Sequence, residues 1–172
     1  GEIILKSGTG KQSAGIYGEL ESTAAKKLTI SNKNKIEVNM EESVGIYAKN
    51  GKSSKTDLIA ENEGTIDLKS KKSVGMLADK SVANNKNEIN ITNEEATGMY
   101  GTNGSEVTNT SDGTILIEAP SSGNDSKSTG IYVTESGTKG VNDGNIIIKG
   151  KKGTGMLATK SAEIVNNNLI QG

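Results

Sequence analysis

A five-residue cassette that recurs six times constrains this chain more than any other feature of its sequence. Each copy reads small–Gly–Ile/Met–Tyr/Leu–small, and all four tyrosines of the chain fall in its fourth position. The copies of this Gly cassette begin at Ala14, Val44, Val74, Thr97, Thr129 and Thr154. Self-similarity at a period of about 20–50 residues is typical of solenoids, whose units stack on their neighbours.

A second cassette, Asn–x–Gly/Asn–x–Ile–x–apolar, precedes most copies of the first. This Asn cassette begins at Asn32, Asn62, Asn85, Ser111 and Asn142, with truncated copies at Gly1 and Asn166. In its Ile–x–apolar part the apolar residues alternate, so Ile36 and Val38 fall on one face of a strand and Glu37 falls on the other. The pattern predicts short strands, and no segment shows the 3.6-residue stripe of a helix.

Only Gly or Asn occupies the third position of the Asn cassette. These two residues tolerate left-handed backbone angles best, so we predict a turn with positive φ just before each strand. Nine residues separate the Ile of the Asn cassette from the next Gly of the Gly cassette in four repeats, whereas the opposite connection varies from 14 to 21 residues. We therefore predict one tight corner and one corner that carries loops.

Repeats of 23–31 residues are too short to fold alone. One repeat holds about five apolar side chains that contribute roughly 1.5–3 kcal/mol each when buried, while ordering its backbone costs about 1–2 kcal/mol per residue. Stacking supplies the missing contacts, so we predict an all-β parallel β-helix of about six rungs. The predicted rungs are residues 1–31, 32–61, 62–84, 85–110, 111–141 and 142–165, followed by a partial rung at 166–172.

Equivalent positions of stacked rungs form columns. Two columns are predicted to fill the interior: Ile16, Ile46, Met76, Met99, Ile131 and Met156, and Ile3, Ile36, Ile66, Ile89, Ile115 and Ile146. Strict alternation places the Tyr/Leu column outward, but its two leucines favour partial burial, so its facing stays open. A hydrogen-bonded amide ladder is predicted for Asn32, Asn62, Asn85, Asn142 and Asn166. The third face, near Leu28, Leu58, Val107 and Ile164, shows no clear register.

Composition disfavours several functional classes. The chain has no His, Cys, Trp, Phe or Arg, and zinc, copper and haem sites need His or Cys. Its 20 basic residues, all Lys, face 21 acidic residues, so it lacks the basic excess of a nucleic-acid-binding domain. We expect no metal, no cofactor, no nucleic-acid partner and no membrane insertion by this segment.

Glu37 and Asp67 are predicted to lie on adjacent rungs, near the roughly 5 Å carboxylate separation of retaining glycosidases. Nothing nearby in the sequence would keep one carboxyl protonated, and both flanks are rich in Lys. We therefore interpret the pair as solvated surface acids and predict that the chain is not an enzyme.

Two features stand out as binding candidates. Leu116 and Ile147 are predicted to be outward apolar neighbours on consecutive rungs. A six-residue insertion near Glu118 to Ser128 contains Asn124 and the only proline, Pro120, and repeat proteins commonly place function in such loops. We predict these four residues, Leu116, Ile147, Pro120 and Asn124, as binding candidates, with a tolerated insertion and a small packing patch as the simpler interpretation.

The stretches Val-Gly-Ile-Tyr-Ala-Lys-Asn-Gly from Val44, Asn-Glu-Gly-Thr-Ile-Asp-Leu from Asn62 and Ser-Val-Gly-Met-Leu-Ala from Ser73 resemble passenger repeats of large type V autotransporter adhesins, particularly those of fusobacterial type. The resemblance covers nearly the whole chain. It implies a right-handed β-helical stalk that is exported and then displayed on the bacterial surface through a C-terminal outer-membrane barrel.

The leading hypothesis is a non-catalytic stalk and adhesion segment that spaces or presents binding sites for a protein or glycan of host or bacterial cells. The alternatives are a β-helical carbohydrate-active enzyme and a pure spacer. The chain begins with Gly1, so we expect a segment of a longer protein, and its uncapped terminal rungs lead us to expect end-to-end association.

Overall fold

The computed structural model describes residues 1–8 and 12–172, which form short strands and one 3-10 helical turn, Lys55–Asp57. The first ten strands are β1 (Glu2–Leu5), β2 (Ala14–Leu20), β3 (Leu28–Asn32), β4 (Lys35–Val38), β5 (Val44–Asn50), β6 (Leu58–Asn62), β7 (Thr65–Leu68), β8 (Val74–Asp79), β9 (Val82–Asn85) and β10 (Glu88–Ile91). The remaining strands are β11 (Thr97–Thr102), β12 (Glu106–Asn109), β13 (Thr114–Ile117), β14 (Thr129–Thr134), β15 (Lys139–Asn142), β16 (Asn145–Ile148), β17 (Thr154–Thr159), β18 (Glu163–Asn166) and β19 (Ile170–Gln171).

Each strand pairs in parallel with the strand three positions earlier in the chain, and this pairing produces three sheets. Sheet A has the order β1-β4-β7-β10-β13-β16-β19, sheet B the order β2-β5-β8-β11-β14-β17, and sheet C the order β3-β6-β9-β12-β15-β18. Each turn of the chain adds one strand to each sheet, and parallel crossovers of this kind are right-handed. The predicted right-handed parallel β-helix is confirmed.

The two predicted interior columns are confirmed. Ile36 pairs with Ile66 in sheet A, and Ile46 pairs with Met76 in sheet B. The central members of both columns have no exposed surface, while Ile3, Ile16 and Met156 in the terminal rungs are half-buried. The core is therefore a set of one-residue-wide apolar columns that run along the axis.

The predicted asparagine ladder is confirmed, with one correction. Each amide nitrogen Nδ2 donates to the Oδ1 of the next amide at 2.8 Å. The ladder consists of Asn32, Asn62, Asn85, Asn109, Asn142 and Asn166. The prediction omitted Asn109, because the Asn cassette of this rung was aligned from Ser111; Asn109 holds the ladder position, and two additional residues separate it from its strand.

The predicted positive φ at the Gly/Asn position of the Asn cassette was also wrong. None of the residues at this position, such as Asn34 and Gly64, has a positive φ. The position is crowded instead: a Cβ on Gly64 would collide with the carbonyl oxygen of Asn34, and one on Gly144 with that of Gly113. Glycine is therefore required at these two positions because the backbones of adjacent rungs pass so close that a side chain has no room.

Positive φ angles occur in the tight corner between sheets A and B. The residue three positions before each Gly of the Gly cassette has a φ between 51° and 60°. These residues are Gln12, Glu42, Lys72, Glu95, Lys127 and Lys152. Because none of them is Gly or Asn, residue type gives no sign of this left-handed turn.

The Gly of the Gly cassette is fixed by close packing at the same corner. A Cβ on Gly98 would lie 2.6 Å from the carbonyl oxygen of Gly130 and 3.0 Å from Cγ2 of Ile115. This glycine, near the start of each sheet B strand, therefore passes over the interior Ile of sheet A, and no room is left for a side chain.

Sheets B and C face each other through residues of complementary size, which explains why the third face lacks a visible register. A Cβ on Gly18 would lie 2.8 Å from Ile30, and one on Gly140 would lie 3.2 Å from Val133. The register gives six facing pairs: Gly18–Ile30, Ala48–Ala60, Ala78–Ala83, Gly101–Val107, Val133–Gly140 and Ala158–Ile164. In the first five pairs a large residue faces glycine or alanine faces alanine, so neither column keeps one residue type; in the last rung, where Ile164 is exposed, it faces Ala158.

This size matching predicts that Gly18→Ala and Ile30→Ala compensate each other. Gly18→Ala should cost about 1–3 kcal/mol because the new methyl group meets Ile30, and Ile30→Ala should cost about 2 kcal/mol because it leaves a void. The double variant reproduces the Ala–Ala pairs of the next two rungs. The free energy of unfolding of the double variant, measured by urea denaturation, should fall by less than the sum of the losses in the two single variants. We expect the difference to be about 1 kcal/mol.

Gly8→Ala is the control for adding a methyl group, since no atom of residues 1–8 and 12–172 is found within 4 Å of a Cβ at that position. Strict additivity of the two substitutions would contradict the proposed pairing of sheets B and C.

The terminal rungs present unpaired strand edges. The exposed large apolar side chains all belong to these rungs: Ile4, Tyr17, Leu157, Ile164, Leu169 and Ile170. End-to-end association of the 172-residue chain stays a prediction, and sedimentation velocity should show species that grow with concentration. A monomer whose sedimentation coefficient is independent of concentration would contradict it.

Candidate functional site

The outer face of sheet A carries a column of side chains that includes two of the four predicted binding candidates, Leu116 and Ile147. The register confirms this column, which consists of Ile4, Glu37, Asp67, Asn90, Leu116 and Ile147. After Ile4, the next three members are polar and the last two, Leu116 and Ile147, are apolar, so the two parts offer different chemistry.

Glu37 and Asp67 lie side by side, as predicted, but two lysines neutralise them. Lys35 Nζ lies 3.1 Å from Glu37 Oε2 and 3.6 Å from Asp67 Oδ2, and Lys69 Nζ lies 2.8 Å from Glu37 Oε2. Hydrogen bonds from Lys69, Asn39 and Lys35 lower the pKa of Glu37 to about 2. A general acid needs a raised pKa. The surroundings of Glu37 lower its pKa, which is the opposite of what acid catalysis requires.

Leu116 and Ile147 pair directly on adjacent strands and are both half-buried. The ion pair between Lys149 and Glu118, 3.0 Å long, flanks them. On the other side, Asn90 donates to Asp67 Oδ1 at 3.0 Å, while its buried Oδ1 has no hydrogen-bond partner in the part of the chain that the structure describes. The structure brings the two apolar candidates together, and their binding role stays a prediction.

The insertion connects β13 to β14 through residues 118–128, whereas residues 92–96 make the equivalent connection one rung earlier. Pro120 is buried and Asn124 is exposed. The Asn124 amide donates to Glu94 Oε1 at 2.9 Å, and Ser122 Oγ donates to the same oxygen at 2.9 Å. The loop is therefore docked on the neighbouring rung, and part of the hydrogen-bonding capacity of Asn124 is already used.

Glu94 is the anchor of this loop, and sequence analysis missed it. Lys71 Nζ lies 2.9 Å from its second carboxylate oxygen. The hydrogen bonds from Asn124, Lys71 and Ser122 lower the pKa of Glu94 to about 2. In the sequence Glu94 is one of two consecutive glutamates in a polar turn, so no local signal distinguishes it from a solvated surface residue.

The Tyr/Leu column lies on the outer face of sheet B, which settles the facing that the sequence left open. Tyr17 is 51% exposed and Leu157 is 40% exposed, while the four central members are half-buried. The column consists of Tyr17, Tyr47, Leu77, Tyr100, Tyr132 and Leu157. It is a continuous outward stripe of large side chains, and the partial burial explains why Leu is accepted.

A shallow cleft of about 320 Å³ lies at the tight corner and is lined mainly by polar groups, including Asn39, Lys69, Lys71 and Asn93. Both lysines already pair with carboxylates, Lys69 with Glu37 and Lys71 with Glu94. Within residues 1–8 and 12–172, no group of three or more acidic side chains is arranged to hold a metal ion. The same residues contain no helix that is long and apolar enough to cross a membrane.

The Glu94 anchor predicts a pH dependence that Glu94→Gln should remove. Its pKa in the folded chain lies below the ordinary value of 4.5, so the unfolded chain takes up the proton first as the pH falls. The stabilisation by Glu94 is therefore complete above about pH 4.5 and is lost as the pH falls towards 2. Urea midpoints should show Glu94→Gln less stable than the parent at neutral pH, with the difference shrinking as the pH falls through this range.

The matched control is Glu95→Gln, since Glu95 is exposed and adjacent. A difference between Glu94→Gln and the parent that is the same at neutral and acidic pH would contradict the role of the carboxylate.

Comparison with known proteins places these features in a family. No curated protein and no solved structure matches the chain. The family model that matches residues 1–171 describes the third pectate lyase-like domain of BigA, an autotransporter-type adhesin. The resemblance to autotransporter passenger repeats is thereby confirmed, and the chain belongs to the BigA third pectate lyase-like domain family.

Proposed function

We propose that this chain is a non-catalytic stalk and adhesion segment of a bacterial surface protein. In this proposal it is part of an extracellular passenger exported by the type V route and anchored in the outer membrane elsewhere in the parent protein. It spaces or presents binding sites for a protein or glycan of host or bacterial cells, and it needs no cofactor.

The observation that carries this proposal is the uninterrupted stacking of all three sheets and of the asparagine ladder. Sheet A runs from β1 to β19 without a missing strand, and the ladder runs from Asn32 to Asn166 with every amide joined to the next at 2.8 Å. At roughly 4.8 Å per rung, six rungs span roughly 29 Å. A continuous rod of this kind suits a spacer that transmits tension along its axis.

The electrostatics favour a structural role over catalysis. Glu37 and Glu94 are the carboxylates with the largest pKa shifts, and in both cases the pKa falls because lysine and amide groups donate to the ionised form. Enzymes that cleave glycosidic bonds need one carboxyl with a raised pKa. This contrast supports the non-catalytic proposal over a β-helical carbohydrate-active enzyme.

Adhesion rather than spacing alone is supported by the insertion at residues 118–128. It sits on a rigid scaffold next to Leu116 and Ile147, and rigid scaffolds commonly present binding loops in this way. A pure spacer is the second candidate. It is favoured by the docking of Asn124 and Ser122 on Glu94, which ties the loop to the rod.

The test compares binding by the 172-residue chain and by a variant in which residues 118–128 are replaced by the five residues of the preceding connection, 92–96. Both proteins are applied to a glycan array and to whole cells, and circular dichroism and thermal unfolding confirm that the β-helix is intact. We expect the parent to bind and the shortened variant to lose binding by at least about tenfold, which corresponds to about 1.4 kcal/mol.

Leu116→Asn is a second variant that removes an apolar candidate without changing the loop. Unchanged binding in both variants would place the contact elsewhere on the rod. A parent chain that binds no glycan and no cell would support the spacer instead.

A further inference from the structure

All four tyrosines of the chain form two close pairs with tilted rings on the outer face of sheet B. Tyr17 and Tyr47 have ring centroids 5.2 Å apart and an interplanar angle of 57°. Tyr100 and Tyr132 have centroids 5.1 Å apart and an angle of 39°. Leu77 lies between the two pairs in the stripe, so each tyrosine has one tyrosine neighbour.

We propose that each pair is a site of oxidative modification, at which a one-electron oxidant joins adjacent rungs through a dityrosine bond. The chain has no cysteine, so disulfides cannot bridge its rungs. The tyrosine pairs offer an alternative covalent link between stacked strands. This inference is independent of the proposed adhesive function.

The reaction balances with hydrogen peroxide acting through a haem peroxidase as the oxidant. Each phenol loses one electron and its hydroxyl proton and becomes a phenoxyl radical. The two radicals combine to form one carbon–carbon bond between ring carbons ortho to the oxygens, and the protons on those carbons move to the oxygens as the rings regain aromaticity. Two electrons and two protons leave per bridge, and they reduce one hydrogen peroxide to two water molecules.

The surroundings of Tyr17 suit the first step. The residue is 51% exposed, so an oxidant can approach it. Its hydroxyl donates to Glu19 Oε2 at 2.8 Å, which gives the departing proton an acceptor. Lys49 holds Glu19 in place at 2.9 Å. In the second pair Tyr100 and Tyr132 are both half-buried, and Tyr132 contacts Thr159 Oγ1 at 3.1 Å, so we expect this pair to react more slowly.

Register restricts which bridges form. The members of each pair occupy directly opposed positions in adjacent strands, and parallel strands keep neighbouring rungs roughly 4.8 Å apart. Tyr47 and Tyr100 lie two rungs apart, at roughly 10 Å, with Leu77 between them. The structure therefore allows two intramolecular bridges, Tyr17–Tyr47 and Tyr100–Tyr132.

The test treats the dilute 172-residue chain with hydrogen peroxide and a haem peroxidase. We expect dityrosine fluorescence, a monomer that has lost two hydrogen atoms per bridge, and peptide mass spectra that join Tyr17 to Tyr47 and Tyr100 to Tyr132. Because each bridge closes a loop of about 30 residues in the unfolded chain, the doubly bridged protein should show a Tm higher by roughly 5–15 °C.

Matched variants separate the two sites. Tyr17→Phe keeps an aromatic ring beside Tyr47 but cannot form a phenoxyl radical, so it should abolish the first bridge and leave the second; Tyr100→Phe should do the reverse. The proposal is overturned if the oxidised chain carries no dityrosine or carries bridges only between molecules, if Tyr47 is joined to Tyr100, or if the total dityrosine yield of the monomer is unchanged in Tyr17→Phe.

Discussion

The whole structure depends on the stacking of chemically equivalent residues at a fixed spacing along one axis. The asparagine ladder shows this constraint most clearly, because a carboxamide carries a donor and an acceptor and can therefore bond to an identical group above and below it. In the ladder from Asn32 to Asn166 each link is 2.8 Å long, and its central amides are fully buried. A rung in the wrong register would leave such groups unpaired at about 1–3 kcal/mol each. The ladder thus fixes the register on which the apolar columns depend.

The same register determines the chemistry of the surface. Side chains that are distant in sequence become neighbours at one rung spacing, as Glu37 does with Asp67 and Tyr17 with Tyr47. No deep pocket is needed for groups to meet, because each outward position repeats along a sheet. In the first case Lys35 joins the two acids into a neutralised cluster. In the second, two phenol rings are held in contact on an accessible face.

Departures from the repeat are where a rod of this kind acquires individual features. The insertion at residues 118–128 is held to the preceding rung by Glu94, whose carboxylate accepts bonds from Asn124 and Ser122 and pairs with Lys71. Ordering such a loop costs little conformational entropy, because β13 and β14 already fix its ends. The chain belongs to the BigA third pectate lyase-like domain family, so these features lie in a passenger segment of the autotransporter-type adhesin class.

The sequence by itself determined the repeat, the strands, the two interior columns and most of the ladder, because each of these depends on residue type at a regular spacing. It did not reveal the left-handed turns at residues such as Lys72, since these residues lack the Gly or Asn signal, nor the size matching of Gly18 with Ile30, since those residues belong to different strands. The reason for glycine at Gly64 is likewise tertiary: the carbonyl of Asn34 in the adjacent rung occupies the space of a side chain. The role of Glu94 depends on a loop 30 residues away. Periodicity reports which residues face inward, whereas contacts between different rungs and sheets exist only once the coil has closed.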